Sequence, residues 1–226
     1  MRKLEDLYQN LLISSFEKIE VTKFGILLGK GFSHDRFTKQ LLLDGNLESD
    51  EKLWKTIKPF LRDYENEQSG CIVIDDMLMD KSWTKVNDIV CWHYDHVSQK
   101  MLKGILMLNF HYTDDSGISI PVGYEIITKT EEVLDRKSKK CVKKSLFSKN
   151  EIMQDKLRIL YYHNELKFKY VLFDKWFASV KNMVFIETEL RKKFVCPIKS
   201  NRKIALTLEE KSKGKYVNIS TIDRGW

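Results

Sequence analysis

Two short apolar segments that each end in aspartate dominate the hydrophobic pattern of the chain. Residues Cys71–Ile74 lead into Asp75 and Asp76, and residues Tyr170–Phe173 lead into Asp174. Short apolar runs bounded by turn signals predict strands buried within a sheet. Each predicted strand therefore carries a carboxylate at its C-terminal end. A carboxylate is rarely buried in a protein core unless it is paired or bound to a metal.

A hairpin is predicted between these two strands. One arm runs over residues 104–113 and the other over residues 118–128, and Asp114–Gly117 between them has turn composition. Pro121 lacks a backbone N–H group, which predicts that the second arm lies at the edge of the sheet.

Helical signals separate the later strands. Ser148 and Glu151 have the spacing of a capping box, and Ser179 is a predicted N-cap for a second helix. Phe194–Ile198 is predicted to form a further strand. Strand–helix–strand units favour parallel pairing, whereas the hairpin adds antiparallel strands, so the pattern predicts an α/β fold with a mixed sheet flanked by helices.

The segment Met77–Leu102 is polar and irregular, and a loop of this length is typical of a functional region. It contains Cys91, His93 and His96, which makes zinc one interpretation. The spacing matches no closed four-ligand zinc site. A substrate-facing histidine, or a structural histidine whose hydrogen bonds are satisfied, is therefore the favoured interpretation.

Residues 1–69 have a different pattern. Apolar side chains recur at helical spacing in residues 2–20 and again after about residue 50. Pro59 is expected to kink or split the helix that begins near residue 50. We expect a small helical region over residues 1–69, with DNA binding as one role, and an α/β domain over residues 70–226. The aromatic residues of the helical region are better explained as bundle core than as a recognition helix.

Charge and composition narrow the partners. The 226 residues have a formal net charge of +7, which favours an acidic partner. Nucleic acid is the first candidate for that partner. The four cysteines are scattered without CxxC spacing and indicate reduced thiols in the cytoplasm. No apolar run approaches the roughly 20 residues that a membrane helix needs, so no membrane association is expected.

Asp75 and Asp174 meet at one edge of the sheet if their strands are parallel neighbours. Two carboxylates that close repel each other, and a divalent cation relieves the repulsion. The alternative is that each aspartate caps the segment that follows it.

The predicted order of elements is that of the ribonuclease H-like fold, in which the first and fourth strands are neighbours and each carries an acid. Within this order the chain resembles insertion-sequence transposases of the DDE (Asp-Asp-Glu) class, in the group of insertion sequence four and its relatives. The resembling motifs cover most of residues 70–202 and are Ile72–Asp76, Trp92–His96, Lys103–Ile105, Pro121–Glu125, Leu172–Phe177 and Lys199–Arg202.

The resemblance implies a metal-dependent mechanism. Two aspartates and a later glutamate would hold two divalent ions, Mg²⁺ or Mn²⁺, about 3.5–4 Å apart, for cleavage of transposon ends and strand transfer into target DNA. Asp174 matches the second acid. Because side chains alternate along a strand, only one of Asp75 and Asp76 can face the metals, and Asp75 is favoured with Asp76 as the alternative. Lys199 and Arg202 are the expected phosphate contacts.

Two departures limit this expectation. Met77 stands where the family often has threonine or serine, and no glutamate in the chain has the family context of the third acid. We therefore expect a truncated transposase that keeps DNA affinity, and an incomplete metal site argues against strand transfer. A ribonuclease H-like nuclease and a non-enzymatic DNA-binding protein on the same fold are the alternatives, and homodimerisation is left open.

Overall fold

The computed structural model describes residues 25–27, 50–95, 98–134, 139 and 141–222. Packing divides the chain into two compact units, Met1–Leu53 and Trp54–Trp226. The helix predicted over residues 2–20 lies outside the described residues. The domain boundary predicted after residue 69, and a DNA-binding role for the region before it, stay predictions.

The described strands and helices alternate along the second unit. In chain order the strands are β1 (Cys71–Asp80), β2 (Cys91–Asp95), β3 (Lys100–Thr113), β4 (Ser119–Ile126), β5 (Glu131–Leu134), β6 (Cys141–Lys144), β7 (Tyr170–Phe173), β8 (Lys193–Val195), β9 (Lys203–Ile204) and β10 (Val217–Asn218). The helices are α1 (Asp50–Leu61), α2 (Lys149–Arg158), α3 (Val180–Val184) and α4 (Leu208–Ser212). Helices α2 and α3 continue into π-helical turns over Ile159–His163 and Phe185–Glu189, and a 3₁₀ turn spans Ile219–Thr221.

Six of these strands form one mixed sheet in the order β2-β3-β1-β7-β8, with β4 paired to β3. Strand β1 is antiparallel to β3 and parallel to β7, and β7 is parallel to β8. The predicted hairpin is confirmed as β3 and β4. Among the described strands β4 pairs with β3 alone, as Pro121 predicts, and the register shifts beside Pro121, between Phe110 and His111.

One face of the sheet carries the core. Ile72 and Ile74 of β1 and Val171 and Phe173 of β7 are buried in one cluster, with the following residues of the helices and their π turns: Met153, Leu157, Leu160, Phe185 and Ile186. This helix-covered face is populated by every second residue of each strand, which is the period that a strand imposes. The intervening residues of β1, including Asp75 and Met77, project from the opposite face.

Helix α1 belongs partly to this core. Trp54 and Leu61 are buried in the same cluster as the sheet residues. The helix continues past Pro59 to Leu61, so the proline does not split it. A proline in the last turn removes only one intrahelical hydrogen bond, which limits its cost.

The segment Met77–Leu102 is not the irregular loop that the sequence predicts. Strand β1 continues to Asp80, opposite Gly104 of β3, and β2 adds a further strand along β3. The cause is long-range backbone pairing, which the weak hydrophobic period of Met77–Asp80 does not reveal.

None of the described helices combines the length and the apolar composition that a membrane span requires.

Both predicted helix starts are confirmed. The backbone N–H of Glu151 donates to the hydroxyl of Ser148, and the Glu151 carboxylate accepts from the backbone N–H of Ser148, which completes the capping box of α2. At α3, the backbone N–H of Asn182 donates to the Ser179 hydroxyl at 3.1 Å.

A buried amide network ties the two helices to the chain that follows β7. The side chain of Asn182 is fully buried, and its Oδ1 accepts from Gln154 Nε2 at 2.7 Å. Its Nδ2 donates to the carbonyl of Phe177 at 2.8 Å and to Asn150 Oδ1 at 2.9 Å. Buried amides are costly to leave unpaired, so this network fixes how α2, α3 and the Phe177 turn pack together.

Replacement of Asn182 by alanine is expected to lower the free energy of unfolding by about 1–3 kcal/mol, because Gln154 loses a buried partner. Urea denaturation followed by circular dichroism measures the effect. The control is Asn201→Ala at an exposed position, where we expect a change within about 0.5 kcal/mol. Equal stability of the two variants would contradict the structural role of the network.

Candidate functional site

Asp75 and Asp174 lie at neighbouring positions at one edge of the sheet. The parallel register of β1 and β7 ends with Ile74 opposite Phe173, and the two aspartates are the next residues along each chain. Ile74 and Phe173 are buried on the helix-covered face, so alternation directs both aspartates toward the opposite face. The structure thus brings these two predicted site residues together.

Each of the two carboxylates also accepts a local hydrogen bond. Asp75 Oδ1 accepts from the backbone N–H of Asp76 at 2.9 Å, and Asp174 Oδ1 accepts from the backbone N–H of Lys175 at 2.6 Å. These contacts are those expected for aspartates that cap the following segment. A carboxylate has a second oxygen and spare lone pairs, so a local hydrogen bond does not prevent it from binding a ligand.

Asp76 has a different environment from Asp75. It projects on the helix-covered face, where its carboxylate pairs with the ammonium group of Lys149, the first residue of α2. Both side chains are partly buried, so the pair is screened less than a surface ion pair. The adjacent acids are therefore divided: Lys149 balances the charge of Asp76, while Asp75 lies beside Asp174.

Asp75, Asp76 and Asp174 line a cleft with a volume of about 270 Å³. Its lining consists of Asp75, Asp76, Leu78, Tyr94, Asp95, Leu106, Lys149, Asp174 and Trp176. The sequence pattern did not indicate Tyr94, Asp95 or Trp176 as site residues. All three fall within motifs that carry the family resemblance, but nothing in their local pattern indicates a role at the cleft.

Two of the acids expected at a metal site, Asp75 and Asp174, line the cleft. Among residues 25–27, 50–95, 98–134, 139 and 141–222, no three His, Cys, Asp or Glu side chains converge in an arrangement that could hold a metal ion. Asp75 and Asp174 supply two carboxylates. Asp76 also lines the cleft, but its carboxylate is paired with the ammonium group of Lys149.

The two predicted phosphate contacts have different surroundings. The ammonium nitrogen of Lys199 lies 4.9 Å from the ring centroid of Trp176, which places this lysine at the rim of the cleft. The guanidinium of Arg202 donates to the carbonyl of Ala178, and its own backbone carbonyl accepts from Ile219. Arg202 therefore braces the chain that follows β7.

His93 is buried on β2, two residues before Asp95 on the same face. Its Nε2 has no hydrogen-bond partner among the described residues. Burial lowers the pKa of His93 to about 4, with further contributions from the positive charges of Lys129 and Lys149. The imidazole is therefore neutral near pH 7.

The interpretation of Cys91 and His93 as zinc ligands gains no support from their surroundings. The Cys91 thiol donates to the backbone carbonyl of Asn87 at 3.0 Å. The described part of the chain shows no metal-binding group at this position. His96 lies outside the described residues.

The depressed pKa of His93 predicts that stability falls as the pH is lowered. The unfolded chain takes up a proton near pH 6.5, whereas the folded protein does so only near pH 4. Between these values acid favours the unfolded state, by up to about 3 kcal/mol in total. Denaturation midpoints measured from pH 7.5 to 4 test this.

In the same measurements His93→Leu is expected to reduce this part of the pH dependence. The control His163→Gln, at an exposed position, should retain it. A His93→Leu protein with the same acid sensitivity as the parent would show that another group is responsible.

Comparison with known proteins identifies no family for this chain. No family model matches it, and no curated protein matches it. One solved structure, a Drosophila P element transposase strand transfer complex, aligns with 12% sequence identity over 83% of this chain and a TM-score of 0.25. The chain covers 42% of that transposase chain, and a TM-score this low does not establish a shared fold.

Proposed function

We propose that the unit Trp54–Trp226 is a transposase-type domain with a ribonuclease H-like fold that binds DNA at the cleft beside Asp75 and Asp174. The register of β1 and β7 is the observation that carries the proposal. It places two acids, each at the end of a buried strand segment, at adjacent positions on parallel neighbouring strands. This is the relationship that the fold requires of its first and fourth strands.

The charges around the cleft support DNA as the ligand. Lys175 and Lys199 both lie over the ring of Trp176 at the rim of the cleft. Ammonium groups bind phosphate oxygens and release the counterions of DNA, which makes binding sensitive to salt. The net charge of +7 adds a long-range attraction to polyanions.

The proposed chemistry stops short of cleavage by the described residues alone. In this proposal Asp75 and Asp174 would provide two carboxylate ligands for Mg²⁺ or Mn²⁺, the ions that such oxygens prefer. A further ligand is needed before the site resembles a two-metal phosphoryl-transfer centre. DNA binding is therefore the function proposed for the described residues of the cleft. Transposon-end cleavage and strand transfer would require the further ligand.

A non-enzymatic DNA-binding protein is the second candidate. It is favoured by the ion pair between Asp76 and Lys149, which places a protein cation within the acidic cleft. A nuclease that hydrolyses DNA without joining ends would need a third ligand near Asp75 and Asp174.

DNA binding at the cleft predicts a specific response to charge removal. Asp174→Asn removes a negative charge that repels phosphate, and in metal-free buffer it should tighten binding of a fluorescein-labelled duplex by about two- to fivefold, or about 0.5–1 kcal/mol. Asp63→Asn, an exposed position that does not line the cleft, should change the affinity less. Fluorescence anisotropy at several salt concentrations measures both.

Binding that is independent of salt and of Asp174 would exclude the cleft as the DNA site. A second assay follows nicking of supercoiled plasmid in Mg²⁺ or Mn²⁺. Nicking that Asp174→Asn abolishes would establish a complete metal site and favour the nuclease. Salt-sensitive binding without nicking would favour the DNA-binding function.

A further inference from the structure

An exposed indole lies beside the two acids. Trp176 follows Asp174 by two residues and retains 40% of its accessible surface at the cleft. Its backbone is held by a tight turn in which the N–H of Phe177 donates to the carbonyl of Asp174 at 2.9 Å, while the Phe177 side chain is buried in the core. Two residues span at most about 7 Å, so the Cα atoms of Asp174 and Trp176 lie close together, and both side chains line the cleft.

Two lysines accompany this ring. The ammonium nitrogens of Lys199 and Lys175 lie 4.9 Å and 5.4 Å from the ring centroid of Trp176. Both lysines are exposed, and cation–π contacts are weak at exposed sites. Each ammonium group can therefore turn from the ring to a phosphate at little cost, so the cluster offers an aromatic surface and two phosphate donors together.

A second aromatic ring lies in the same cleft. Tyr94 of β2 lines it and is 52% exposed. A phosphodiester or an inorganic phosphate needs no aromatic surface, whereas a base has a flat face that stacks on Trp or Tyr. Bases within a duplex are already stacked on one another, so only unpaired bases are available to these rings.

We propose that Trp176 is a stacking subsite for an unpaired base, and that the cleft takes single-stranded DNA or a frayed DNA end. The base stacks on the indole, and the adjoining phosphates contact Lys199 and Lys175. This inference rests on the proposed function and narrows its ligand from DNA in general to DNA with an unpaired segment at the cleft.

The experiment compares two labelled probes, a single-stranded oligonucleotide of mixed sequence and the blunt duplex of the same sequence. Loss of one stacked base predicts that Trp176→Ala weakens single-strand binding by about 5- to 150-fold and changes duplex binding much less. Trp176→Phe, which keeps an aromatic ring, should restore most of the affinity. The control is Trp83→Ala, because Trp83 is fully exposed but does not line the cleft.

A second readout reports stacking directly. A single 2-aminopurine placed in the single strand loses fluorescence when it stacks, so the parent protein should quench it and Trp176→Ala should not. Circular dichroism and the thermal midpoint of Trp176→Ala establish that the variant is folded.

Equal losses on single strand and duplex, or no loss on either, would overturn the stacking subsite while leaving DNA binding by the parent protein intact. A parent protein with no salt-sensitive affinity for either probe would overturn the proposed function, and this inference with it.

Discussion

The parallel pairing of β1 with β7 is the constraint on which the candidate site depends. A parallel pair needs a long crossover, and α2 with its π turn supplies the helical part of that connection. Because β7 starts beside the start of β1, a helix that leads back to it begins at the edge of the sheet where the paired segments of β1 and β7 end. The first residue of α2, Lys149, is consequently delivered to the edge where Asp75, Asp76 and Asp174 emerge.

The cleft combines charges that oppose each other. Asp75, Asp76, Asp95 and Asp174 line it together with Lys149, while Lys175 and Lys199 stand over Trp176 at the rim. A polyanion that enters is attracted by the rim and repelled by the floor. The geometry therefore favours a ligand whose phosphates stay at the rim, unless additional cations enter with it.

Local signals in the sequence were sufficient where the structure is local. The capping box at Ser148, the cap at Ser179 and the β3–β4 hairpin each depend on residues close along the chain, and each was predicted. The runs that end at Ile74 and Phe173 predicted buried strands, but their parallel pairing was only a condition, and the expectation that they are neighbours came from the order of elements.

Contacts between distant residues account for what was missed. The partner of Asp76 is 73 positions away in Lys149, and no local pattern joins them. The extension of β1 to Asp80 depends on pairing with β3 rather than on its own composition. Strand β8 was predicted over residues 194–198 but spans Lys193–Val195, ahead of Pro197, which cannot donate to a sheet.

Asp75 and Asp76 have different environments, and this limits how β1 can change over evolutionary time. The two residues are chemically identical, yet one insertion or deletion within Cys71–Ile74 would turn every following side chain to the other face. After an insertion Asp75 would take the position that faces Lys149, and Ile74 the position beside Asp174. After a deletion Asp76 would lie beside Asp174, and Met77 would face Lys149. Substitutions elsewhere in β1 need preserve only size and polarity, whereas the number of residues before Asp75 is fixed.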